Sequence, residues 1–184
     1  SHDDLVRAAL VEAARACEAR CAAMLLGDEG NEAGTLYYVE ARDDAAVRHL
    51  PMQRGEGLLG WAMAHDAPLR VDDTTNDPRS SRSAEDELGI TTATAVAVPL
   101  EGDLGAPIGA VALYDRRGGQ RFGDEDEALL RLVAANMSTA IRLYRARQTR
   151  EREERMSAIG RLLSGVLHDM KTPMVAAAKI SSQM

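Results

Sequence analysis

Residues 3 to about 21 are alanine-rich, and Val6, Leu10, Ala13, Cys17 and Cys21 fall three or four positions apart. That spacing predicts an amphipathic helix with one apolar stripe. The apolar runs then shorten to 21–26, 35–41, 46–52, 69–72, 93–100 and 108–114, with turn residues between them, and read as strands. Gly27-Asp-Glu-Gly30 and Glu101-Gly-Asp-Leu-Gly105 are hairpin-type connectors. Strands joined in this way imply a mostly antiparallel sheet, covered by helices from the two ends of the segment, in an α+β fold.

From Gly123 the pattern changes. The acidic run Gly123-Asp-Glu-Asp-Glu127 suits the positive end of a helix dipole, and no proline follows until Pro173. An unbroken helix over 124–184 would be about 90 Å long at ~1.5 Å per residue. No single globular domain needs such a rod, so it is expected to connect domains or chains. Val133, Met137, Ala140 and Tyr144 alternate four and three apart, as do Met156, Ile159, Leu163, Val166 and Met170. Both runs fit a coiled-coil seam, in different heptad phases. The intervening stretch 145–155 is polar throughout, and reads either as a solvated helix face or as a register break that absorbs or passes on twist. The divisions expected are 3–144, a linker at 145–155, and 156–184.

Composition narrows the function classes. With 184 residues, 45% of them hydrophobic, the chain holds one ordinary domain and some extra. A net charge of -7 argues against a nucleic-acid surface, which needs a concentrated basic face. Cys17 and Cys21 are the only cysteines and read as small buried hydrophobes in a reducing compartment, with no metal site expected. No apolar run is long enough to cross a bilayer, and residues 1–20 lack a basic-then-apolar signal pattern, so a cytoplasmic location is expected.

Gly55-Glu-Gly57-Leu-Leu-Gly60 has the spacing of a dinucleotide-binding loop but not its context. That fingerprint needs a preceding strand and a long following helix in a parallel βαβ unit. Here the helical stretch ends by about Asp66, so a tight turn into a short helix is the better reading of the glycines. Together with Ala67-Pro-Leu-Arg-Val-Asp-Asp73, Asn76-Asp-Pro-Arg79, Ala95-Val-Ala-Val-Pro-Leu100, Ile108-Gly-Ala-Val-Ala-Leu113 and Phe122-Gly-Asp-Glu-Asp126, the stretch resembles a GAF domain over roughly residues 3–144. Ala67 departs from the glycine frequent at that point in the family. The resemblance implies a PAS-like sheet with a cavity on one face, which in the family takes cyclic nucleotides, bilins, haem or no identified ligand. The sequence leaves the ligand unknown: neither cysteine sits where a bilin attaches, and the cyclic-nucleotide pattern is absent. His49 and His65 are weighed as haem ligands and read instead as solvated or hydrogen-bonded side chains. If a ligand binds, the polar segment 72–92 is expected to be its lid, because it is long and has little strand signal.

The last chemistry-bearing stretch is Val166-Leu-His-Asp-Met-Lys-Thr-Pro-Met174. With Met156, Leu163 and Met170 at a and Ile159 and Val166 at d, His168 falls at f, farthest from the seam. An outward imidazole can meet another molecule. Thr172 lies one turn on, and Asp169 can approach the ring from the side. A neutral imidazole attacking phosphorus becomes cationic, and a neighbouring carboxylate can take or stabilise its proton. Pro173 lacks an N–H and presses on the carbonyl of Asp169, so a bend is expected just beyond the histidine. The block resembles the H-box of sensor histidine kinases, and 156–184 resembles the first helix of their phosphoacceptor (HisKA, or DHp) domain. By that resemblance His168 is the phosphoacceptor, Asp169 assists as an acid or base, and Thr172 positions water for dephosphorylation. The implied partners are a second copy along the long helix and the receiver domain of a response regulator. ATP and magnesium would be bound by a catalytic domain whose motifs 1–184 do not contain. The competing reading is a non-enzymatic ligand-binding or dimerisation GAF module of a transcriptional regulator.

Overall fold

The computed structural model describes residues 2–28 and 30–181, with side chains described as far as residue 170. The chain divides into two compact units, 1–140 and 141–184. In the first, six strands form one antiparallel sheet: β1 (Ala19–Gly27), β2 (Ala33–Glu40), β3 (Arg48–Gln53), β4 (Leu69–Val71), β5 (Ala95–Leu100) and β6 (Gly109–Arg116). Their order across the sheet is β3-β2-β1-β6-β5-β4. Helices α1 (His2–Ala16), α2 (Gly57–His65) and α3 (Arg82–Leu88) pack in the same unit, and α4 (Asp124–Ser181) begins in it.

The register sorts the side chains by size. Because neighbours on a strand point to opposite faces, pairing Ala23 with Ala112, and Ala97 with Ala112, collects small residues on one face. Ala23, Ala95, Ala97, Ala110 and Ala112 are all buried there, under α2. The opposite face carries Met24, Val96, Val98, Val111 and Leu113, each at most 1% exposed, and α1 packs on the sheet at β1 and β2. Large residues fill one layer, while the alanines let α2 come close on the other.

Two expectations change. The N-terminal helix stops at Ala16, short of Cys21, and Glu18 turns the chain with a φ of 53°. Strand β1 then pairs on both sides, with β2 and β6, so ladder hydrogen bonds outweigh the helix propensity of its alanines. Cys21 therefore lies in β1 rather than on the α1 stripe. The segment 72–92 is not all loop. It contains α3, whose start is capped by the Ser81 side chain accepting from Ala84 N–H and whose end is closed by Gly89 at a φ of 66°.

The predicted seam at 133–144 is also redistributed. Within the first unit α4 buries Leu130, Ala134, Met137 and Ser138, so Met137 belongs to the domain core, whereas Ala140 is exposed. In the second unit Met156, Ile159, Leu163, Val166 and Met170 are all at least half exposed. Leu162 and Leu167 flank them and are exposed too. The bend expected at Pro173 falls outside the described side chains.

Candidate functional site

The glycine motif builds the entrance to the face under α2. Gly57 opens the helix with a φ of 68°, a conformation that costs an L side chain energy. A Cβ on Gly60 would stand 2.6 Å from the backbone of Gly55, so only glycine lets the turn fold back on the helix. The strand that follows, β4, pairs antiparallel with β5, and there is no βαβ unit to seat a pyrophosphate.

Loop 72–81 is pinned onto that helix. Asp77 and Arg79 form a two-pronged pair, Nε to Oδ1 at 2.9 Å and Nη2 to Oδ2 at 2.7 Å. The pair holds the Asp77 carboxyl below its ordinary pKa. The Arg79 guanidinium lies 5.0 Å from the Trp61 ring, and His65 stacks on the same indole at 4.2 Å. Ser81 Oγ donates to Glu56 Oε1 at 2.8 Å and ties the start of α3 to the start of α2. At the far end Asp115 Oδ1 accepts from the backbone of Ala93 and Thr94, and Arg20 donates to the Thr91 carbonyl. Arg48 donates to the carbonyls of Leu88 and Glu87, closing the end of α3.

These pins enclose a cavity of about 50 Å³ between the sheet, α2 and α3. Its apolar wall includes Ala23, Leu36, Met52 and Leu59. Its polar groups are Tyr38, Ser80, Ser81, Glu85, Thr92 and Tyr114. Segment 72–92, expected as a lid, supplies one wall of it. Tyr38 is 2% exposed and its hydroxyl has no hydrogen-bond partner by geometry; the Cys21 thiol is a polar neighbour. Burial raises the Tyr38 and Tyr114 pKa values and pushes the Cys21 thiol up to about 11, so all three are neutral near pH 7. The Glu85 charge is among the causes for Tyr114, which puts carboxylate and phenol within electrostatic reach. Thr92 donates to Glu85 Oε1 through its hydroxyl and, at 3.1 Å, through its backbone N–H.

None of these polar lining residues was singled out from sequence. The signal available was parity: Tyr38 lies two positions from Leu36 on β2 and Tyr114 two from Ala112 on β6, on the buried face. Neither His49 nor His65 lines the cavity. His49 pairs with Asp3 at 3.4 Å and packs edge-on against Tyr37. Among the described residues no group of three or more His, Cys, Asp or Glu side chains is arranged to hold a metal ion.

The second candidate site is on α4. His168 and Asp169 are 84% and 88% exposed, and Nδ1 of the ring is 3.7 Å from Asp169 Oδ1. That is too long for a direct hydrogen bond between the two. The side chains of Thr172 and Pro173 lie outside those described.

A single antiparallel sheet with a small enclosed cavity under two short helices defines the class of the first unit. It is an α+β fold with its pocket on one sheet face. The family profile described as GAF domain matches residues 1–142, and the chain belongs to that family. Solved structures agree in fold. The GAF domain of a phosphoenolpyruvate-protein phosphotransferase from Coxiella burnetii superposes with a TM-score of 0.66 at 18% identity, covering 80% of this chain and 86% of that one. Residues 122 to 287 of a methyl-accepting chemotaxis protein give 0.62 at 19%, covering 77% and 88%. The second GAF domain of DevS from Mycobacterium smegmatis gives 0.59 at 16%, covering 79% and 96%. Among the described residues no helix is long and apolar enough to cross a membrane.

Proposed function

We propose that this chain is the sensory and phosphoacceptor portion of a two-component histidine kinase, in which the GAF unit governs phosphorylation of His168. The observation that carries the reading is an imidazole almost fully open to solvent on α4, with a carboxylate 3.7 Å from one ring nitrogen, inside the sequence His-Asp-Met-Lys-Thr-Pro. With Nδ1 turned toward Asp169, Nε2 is the nucleophile. It attacks the γ-phosphorus of ATP, the bond to the β-γ bridging oxygen breaks, and ADP leaves. Asp169 stabilises the cationic ring and attracts its Nδ1 proton. The phosphoryl group then passes to an aspartate of a response-regulator receiver domain, and Thr172 orients the water that later removes it. ATP and magnesium are held by a separate ATP-binding domain, in the cytoplasm.

The exposed apolar face at 156–170 supports pairing with a second copy. A stripe at a and d alone suits two strands, but Leu162 and Leu167 add g and e positions, and so wide a face suits a bundle of more than two helices. The polar stretch 145–155 then transmits a change of rotation or register from the GAF unit.

The deciding experiment mixes the chain with a matching ATP-binding domain and labelled ATP. Wild type is expected to acquire acid-labile label, while His168→Gln, which keeps size and polarity, acquires none. Equal label on the two proteins rules out the phosphoacceptor assignment.

A further inference from the structure

The walls of the cavity under α2 and α3 carry a definite electrostatic preference. Its lining includes one charged side chain, Glu85, and no lysine, arginine or histidine. Arginines around it serve the frame: Arg48 holds the Leu88 and Glu87 carbonyls, Arg20 holds Asp115 and the Thr91 carbonyl, Arg79 holds Asp77 and Arg82 the Thr75 carbonyl. An anionic ligand would meet a half-buried carboxylate, with no cationic side chain in the lining to neutralise either charge. A cation would meet the same carboxylate as its counter-charge and the rings of Tyr38 and Tyr114 as aromatic walls.

Two open acceptors sharpen the choice. Glu85 Oε1 is used by Thr92, whereas Oε2 takes no hydrogen bond from the described residues. The Tyr38 hydroxyl is buried beside the Cys21 thiol, a weak hydrogen-bonding group that leaves the oxygen lone pairs available. A native fold rarely leaves a buried hydroxyl unsatisfied without a ligand or water to complete it. Size sets the upper limit. A cavity of about 150 Å³ holds benzene, so one of 50 Å³ holds about two or three non-hydrogen atoms.

We propose that this cavity binds a small primary ammonium ion, whose N–H groups donate to Glu85 Oε2 and Tyr38 Oη while its carbon tail packs on Ala23, Leu36 and Met52. The proposal rests on the sensory reading of the GAF unit and is independent of the role given to His168. Binding is non-covalent and requires no further reactant.

Trp61 is the only tryptophan and packs against the core cluster beside the cavity, so its fluorescence reports occupancy. The 184-residue chain is titrated with methylammonium and ethylammonium chloride at constant ionic strength, and in parallel with ethanol and sodium acetate. Saturable change is expected with the two ammonium ions alone. Glu85→Gln keeps the Oε1 acceptor for Thr92 and is expected to raise the midpoint roughly tenfold or more by removing the charge. Tyr38→Phe is expected to weaken binding as well, and decides the matter if Glu85→Gln melts far below wild type. Unchanged ammonium binding in the folded variants overturns the proposal. So does saturation by acetate or ethanol at the same midpoint, which would leave a ligand pocket of different chemistry. If no titrant saturates, the ammonium assignment falls, while the sensory reading of the GAF unit is judged separately by whether changes in that unit alter labelling of His168.

Discussion

Cys17 and Cys21 stand four residues apart and finish in different surroundings. Cys17 packs against the first turn of α4, where its thiol reaches the Asp126 carbonyl, and Cys21 faces the cavity cluster. Burial raises both thiols from an ordinary 9.0 to about 11. Between those values the unfolded chain has released its thiol protons and the folded chain has not. Stability is therefore intact below pH 9 and falls as pH rises toward 11, by about 1.4 kcal/mol per pH unit per thiol. Urea unfolding at about pH 8 and pH 10 measures this. The double variant Cys17→Ala, Cys21→Ala should show a flatter decline, and an equal decline would mean that the thiols titrate alike in the folded and unfolded states. The same burial predicts that neither thiol reacts with alkylating reagents at neutral pH until the chain unfolds.

Among the elements, α3 is the one whose existence is least obvious and whose placement matters most to the cavity. It is only seven residues long, so propensity alone does not hold it. Its cap, the Ser81–Glu56 hydrogen bond and the Arg48 contacts at its far end do. Ser81→Ala removes the cap and the link to α2 together and is expected to cost about 1 kcal/mol. Amide hydrogen exchange resolves the effect: α3 amides should exchange faster in the variant while those of β1 and β6 stay as they are. Uniform acceleration would instead place α3 within the global unfolding unit. The strands were legible because alternating or continuous apolar runs bounded by glycines have few other readings. The end of α1 was not, since an alanine-rich stretch suits a helix until the sheet edges on both sides of β1 claim it.

For the whole molecule, the apolar residues of α4 have two separate uses. Leu130, Ala134 and Met137 complete the GAF core; from Met156 on the apolar residues remain exposed, and the proposed pairing of two copies would cover them. Ile159→Asp combined with Val166→Asp should convert a wild-type dimer to monomer in sedimentation velocity, with the GAF unit's melting unchanged. An identical sedimentation coefficient would show that this face is not the contact between copies. The local sequence determined the six strands, their antiparallel sense and the turn built by the glycine motif, because hydrophobic period and turn chemistry act over a few residues. Tertiary structure decided which alanines face α2, that Met137 belongs to the core and Cys21 to the sheet, and that Tyr38, Glu85 and Tyr114 converge on one cavity. Those choices depend on strand register and on contacts between residues far apart in the chain, as between Ala19 and Arg116 or Cys17 and Asp126, which no local pattern encodes.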